Sequence, residues 1–176
     1  MTKAQVQVQE QVKVCIRDGC DNPASPKSTK GYCEDCMKQA RRAWLTMVRE
    51  KGAERDAQRQ EWAKAWEAGM VAGATAAAAC VPEPIQVVNA FTKAVEAISY
   101  SKGFAWLRVY PGNCAFARWL VSEHQADPAH RGGVQVMIRG YDQSIERKTA
   151  HANAMAQVLR TANVGRAEIY VNSQED

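Results

Sequence analysis

Four cysteines, Cys15, Cys20, Cys33 and Cys36, stand in the spacing C-x4-C-x12-C-x2-C. No other feature limits the fold of this chain as strongly. Two close pairs joined by a loop can set four sulfurs at the corners of a tetrahedron around a metal ion, with bonds of about 2.3 Å. The loop has matching turn chemistry. Asp18-Gly19 lies inside the first pair, Asn22-Pro23 and Ser25-Pro26 lie in the middle, and Gly31 precedes the second pair. A structural zinc ion is expected, because four thiolates leave no open position for catalysis. Two disulfides or a redox pair are the weaker reading for a chain expected in a reducing cytoplasm. Cys80 and Cys114 sit among small apolar residues and read as buried thiols. A second metal site from Cys114, His124 and His130 is disfavoured, because the segment between them reads as helix then loop.

The string Gly19-Cys20, Pro23-Ala24, Gly31-Tyr32-Cys33 and Cys36, followed by Lys38, Arg41 and Arg42, resembles the small treble-clef zinc knuckles of phage-encoded proteins. The match spans residues 15–42. It implies a helix opening at the second cysteine pair and a structural zinc ion. Some such knuckles accompany HNH nucleases, and many have His as the last ligand, where this chain has Cys36. The histidines of this chain, His124, His130 and His151, do not form the HNH arrangement, so the resemblance carries no nuclease activity. The run Tyr110-Pro-Gly-Asn-Cys-Ala-Phe-Ala-Arg-Trp-Leu, with Gln143-Ser-Ile-Glu-Arg-Lys-Thr-Ala, also resembles small phage proteins of unassigned activity.

The net charge is +4, with a near-average charged fraction of 24%, so the chain lacks the strong basic excess of many nucleic-acid binders. Residues 13–59 carry eleven basic and seven acidic side chains, which places the whole excess there. The most apolar stretch, residues 69–81, is shorter than the roughly 20 residues that span a bilayer. No apolar signal segment opens the chain, so a cytoplasmic protein without a membrane partner is expected (host cytoplasm if viral).

Residues 1–14 alternate Val with Gln and read as a strand-like or flexible N-terminus. The knuckle, 15–42, leads into a long helical segment, 43–81. Met37, Trp44, Met47 and Val48 fall near one face, and Gly52 reads as a break between two helices. Trp62, Trp66 and Met70 lie four apart and form a stripe for the core or for a partner helix, which also allows a homo-oligomer. Pro82 and Pro84 mark a boundary. The small domain, 84–176, is read as opening with a helix over 85–100, placing Val88, Phe91, Val95 and Ile98 on one side.

The last part reads as βαβαβ: strands at 104–110, 134–141 and 166–171, helices at 113–123 and 144–162, and Ser144 as N-cap. The expected fold class is thus α+β or α/β, with a two-layer domain of parallel strands in the order 1-2-3. Alternation gives each strand one apolar face. Leu107 and Val109 oppose Trp106, Arg108 and Tyr110. Val134, Val136 and Ile138 oppose Gln135, Met137, Arg139 and Tyr141. Ala167, Ile169 and Val171 oppose Arg166, Glu168 and Tyr170. Arg108-x-Tyr110-x-x-Asn113 recurs as Arg139-x-Tyr141-x-x-Ser144, which sets arginines beside helix N-termini, where anions are favoured.

Three functions follow. A face of Trp106, Tyr110, Tyr141 and Tyr170 with Arg108, Arg139 and Arg166 suits nucleic acid, with Lys38, Arg41 and Arg42 adding backbone contacts. The same residue types suit a host protein, making the chain a regulator or inhibitor. Catalysis has the least support. No P-loop, GxGxxG, HExxH or nucleophile elbow is present.

Overall fold

The computed structural model describes residues 13–130 and 132–176, with the side chains at 96–98 left aside. The strand-like reading of 1–14 therefore lies outside the described residues except for its last two. The chain forms two compact units, which divide between Asp56 and Ala57. In the first, the cysteine segment is followed by α1, Glu34–Ala79, which continues into the second. Among the described residues no helix is long and apolar enough to cross a membrane.

Helix α1 is continuous, which corrects the expected break at Gly52. A glycine inside a helix weakens it by about 1 kcal/mol relative to Ala but does not end it. The residues on both sides are strong helix formers. Side chains 38–61 are exposed apart from half-buried Gly52, so Trp44, Leu45, Met47 and Val48 meet solvent. The stripe divides by depth. Trp62 is buried, Trp66 is half-buried and Met70 is exposed.

The helix expected over 85–100 is instead a hairpin. Strand β1, Pro84–Val88, pairs antiparallel with β2, Val95–Tyr100. Ile85, Val87, Val88 and Val95 are β-branched and prefer strands. Asn89 makes the turn, its Oδ1 accepting from the N–H groups of Phe91 (2.9 Å) and Thr92 (3.0 Å). Such local side-chain bonds compete with helix.

Beyond it lie β3 (Gly103–Tyr110), α2 (Ala115–Ser122), β4 (Asp127–Pro128), β5 (Val134–Met137), α3 (Ile145–Thr161) and β6 (Glu168–Glu175). The sheet order is β4-β5-β3-β6, with every neighbouring pair antiparallel. This corrects the parallel 1-2-3 order, and element lengths explain it. Helix α2 has eight residues and spans about 12 Å. Strand β3 also has eight and spans about 26 Å. The short helix cannot return the chain to the start of β3, so β5 begins beside its end, with Val134 opposite Val109. Helix α3 has seventeen residues, about 26 Å, and does make the full return. Strands β5 and β6 are therefore parallel to each other, with β3 between them.

The core lies behind the sheet. Leu107, Val109 and Ile169 meet Phe116, Leu120, Met155, Leu159 and Trp62. The rings of Trp62, Phe116 and Trp119 lie 5.5–5.9 Å apart. Helix α3 packs on β3 and β6, and Ser144 caps it, its Oγ accepting from Arg147 N–H at 3.4 Å. Glycines bring α1 close to α3. A Cβ on Gly73 would stand 2.5 Å from the ring of His151. That histidine is buried, with Nδ1 2.7 Å from the Tyr141 hydroxyl and Nε2 without a hydrogen-bond partner among the described residues. Burial pushes its pKa down and keeps it neutral.

The glycines in α1 separate helix propensity from packing. Ala is worth up to about 1 kcal/mol over Gly inside a helix. At Gly52 a Cβ meets nothing within 4 Å, so Gly52→Ala should stabilise by that amount. At Gly69 it meets the flexible Met155 side chain at 3.1 Å, so Gly69→Ala should be near neutral. At Gly73 overpacking costs about 1–3 kcal/mol and wins, because the contact falls within the ring itself, which Tyr141 holds at Nδ1. Gly73→Ala should lose up to about 2 kcal/mol in urea denaturation. Equal effects at Gly69 and Gly73 would contradict this packing.

Candidate metal centre and the exposed sheet face

The cysteine segment folds by local backbone bonds. Cys15 N–H donates to Asn22 O (2.9 Å) and Ala24 N–H to Lys13 O (2.7 Å), so Val14 bridges Pro23. Cys20 N–H donates to Arg17 O (3.1 Å), closing the turn around Gly19, whose φ is +71°. Ile16 N–H donates to Gly31 O (3.1 Å) and Ser25 N–H to Tyr32 O (2.9 Å), which lays the second pair beside the first. Cys33 then precedes α1, and Cys36 lies in its first turn.

All four sulfurs lie within 4.8 Å of one another. Cys20 Sγ is 3.7 Å from both Cys33 Sγ and Cys36 Sγ. A tetrahedral ion with bonds of about 2.3 Å needs sulfur edges of about 3.8 Å, so the residues present fit a metal ion. Cys15, Cys33 and Cys36 are buried and Cys20 is half-buried. Among the described residues no other group of His, Cys, Asp and Glu has metal-ligand geometry. Cys114 instead caps α2, its Sγ accepting from Ala117 N–H at 3.3 Å.

The environment favours thiolate at two sulfurs. Cys36 N–H points at Cys33 Sγ (3.4 Å) and lowers that thiol to about 7. Cys33 N–H points at Cys15 Sγ (3.3 Å) and lowers Cys15 as well. Cys36 is pushed up to about 12, first by the Cys33 sulfur beside it and then by burial. Four thiols this close cannot all ionise without a cation between them. The side chains of Asn22 and Arg17 reach Cys33 Sγ and Cys36 Sγ at 3.9 Å, forming an outer ring of donors.

Lys38, Arg41 and Arg42 are exposed on one side of α1, three and four residues apart. Lys38 pairs with Asp35 at 3.8 Å. The pair is exposed and adds little to stability.

The sheet supplies the second candidate surface. Along β3 burial alternates: Ala105, Leu107 and Val109 face the core, while Phe104, Trp106, Arg108 and Tyr110 face outward. Register places Tyr170 and Gln135 on either side of Arg108, Asn172 and Met137 on either side of Trp106, and Glu168 beside Tyr110. Tyr110 and Tyr170 are about half exposed, at 50% and 48%. Phe104 and Trp106 stack with centroids 5.8 Å apart. Arg108 Nη2 donates to Gly132 O at 3.3 Å, and the Tyr170 hydroxyl bonds Glu168, which raises its pKa.

Three expected members of this face do not join it. Strand β5 ends at Met137, so Arg139 lies beyond the ladder, exposed beside Phe104 and Met137. Tyr141 sits in a 3-10 turn, Tyr141–Gln143, and turns toward His151. Arg166 precedes β6 and is exposed. In their place the face gains Phe104, Asn172 and Gln174. Phe104 already lay in the strand expected over 104–110, in phase with Trp106, whereas Asn172 and Gln174 lie beyond the end expected for the third strand at 171.

Comparison of the chain with protein-family models, with curated proteins and with solved structures finds no match.

The four-sulfur site predicts a stoichiometric metal complex. Titration with Co(II) should give thiolate charge-transfer and tetrahedral ligand-field absorption that zinc displaces. Cys33→Ser should weaken metal binding by more than about 100-fold, beyond the loss caused by outer-shell changes. The near-UV dichroism of Trp62 and Trp119 should persist. Equal metal affinity in the variant would contradict the assignment.

Proposed function

We propose that this chain is a zinc-stabilised, non-enzymatic accessory protein that binds single-stranded nucleic acid on the outward face of its sheet. The supporting observation is the row of outward rings, exposed Phe104, Tyr110 and Tyr170 with half-buried Trp106, around one arginine and a border of amides. Rings on a sheet stack bases that a duplex keeps hidden, so the chemistry favours single strands. Gln135, Asn172 and Gln174 carry donors and acceptors suited to base edges. Zinc is the proposed ion because four thiolates at tetrahedral spacing suit it. The resemblance of 15–42 to phage knuckles supports a viral accessory role.

A protein partner is the second reading. The exposed Trp44, Leu45, Met47 and Val48 on α1 favour it, because large apolar side chains together on a surface suit an interface.

Fluorescence anisotropy with labelled single strands and duplexes tests the first reading. Stacking is worth about 1–3 kcal/mol per base, so Trp106→Ala with Tyr170→Ala should weaken single-strand binding by about tenfold or more. Salt dependence reports the cations engaged. Arg108, the one arginine of the face, gives a log–log slope of about −0.7, and each further cation engaged adds about −0.7. Absence of binding at low salt, or equal binding by the ring variant, would remove the reading.

A further inference from the structure

The most unusual charge in the second unit is a lysine. Lys148 lies in the first turn of α3 and is only 6% exposed. Its Nζ donates to Gly103 O at 2.7 Å and lies 5.3 Å from the centre of the Phe104 ring. No carboxylate pairs with it, since the ion pairs among the described residues are Lys38–Asp35 and Lys64–Glu61. Burying an ammonium is costly unless an anion or several hydrogen bonds compensate. One carbonyl and one ring face leave part of its donor capacity unused.

Lys148 lines a cavity of about 410 Å³. Arg139 lines it too, exposed and without a hydrogen bond or ion pair among the described residues. Phe104 forms a wall and continues, through its stack on Trp106, onto the outward sheet face. The buried Lys148 ammonium, which has no carboxylate partner, and the unpaired Arg139 on the same cavity favour an anion, beside the start of a helix whose first turn also carries Glu146. Two acids, Asp142 and Asp176, also border the cavity. Both are exposed, and neither is ion-paired with Lys148 or Arg139.

We propose that this cavity binds a phosphate group, held by the Lys148 ammonium and the Arg139 guanidinium, with an attached ring against Phe104. A fork-shaped guanidinium and a point ammonium together match the tetrahedral oxygens of phosphate. The phosphate comes from a free nucleotide or from a strand lying on the sheet face, and the recognition chemistry is the same for both. This site does not depend on the sheet face being a nucleic-acid surface.

Amide NMR of the full chain tests it. Titration with inorganic phosphate should shift Gly103, Phe104, Gln143 and Ser144 saturably, while potassium chloride at equal ionic strength should not. Arg139→Gln alters an exposed residue and should weaken phosphate binding by about tenfold. Lys148→Met should abolish it. If that variant fails to fold, Arg139→Gln decides alone. Equal shifts with chloride, or wild-type affinity in Arg139→Gln, would overturn the site. Displacement of phosphate by a short oligonucleotide assigns the strand as the source, and displacement only by a mononucleotide assigns the free ligand. Phosphate binding without oligonucleotide binding keeps this site and removes the sheet-face reading.

Discussion

Four sulfurs held within 4.8 Å of one another impose the main constraint on the first unit. As thiols they pack poorly as hydrogen-bond partners, and as thiolates they repel. A divalent cation at their centre would convert that repulsion into attraction. The helix start depends on the same atoms. Cys33 Sγ accepts from Cys36 N–H, and Glu34 and Asp35 add negative charge where the helix dipole is positive. A unit with a small core of Cys15, Cys33, Cys36, Cys20 and Tyr32 has little apolar area to bury, and a bound metal ion would substitute for it.

The second unit is organised by close packing. Gly73 admits the His151 ring, and Trp62 packs against both Phe116 and Trp119, which stack on each other. With the inner face of the sheet thus covered, β3 turns its aromatic side chains outward. The candidate surfaces for a strand and for phosphate therefore share one residue: Phe104 stacks on Trp106 and lies within reach of the Lys148 ammonium.

What was legible in the sequence was what depends on near neighbours. The cysteine spacing named the metal cluster, strict alternation named the two faces of β3, and Ser144 named the start of α3. Features set by distant partners were not legible. The antiparallel order follows from comparing the length of α2 with that of β3, which alternation does not report. Val88, Phe91, Val95 and Ile98 fit a helical spacing, and the Asn89 turn with its β-branched neighbours outweighed it. Arg139 and Tyr141 kept the phase of their strand past the point where pairing stops at Met137. Lys148 carried no signal, because a lysine in a helix is ordinarily solvated, and only the packed structure reveals its burial.

X-ray absorption at the zinc edge, on protein loaded with one equivalent of zinc, tests the central claim most directly. The account predicts a single shell of four sulfurs at about 2.3 Å. A shell containing nitrogen or oxygen, or zinc that fails to stay bound while the cysteines form disulfides, would contradict it.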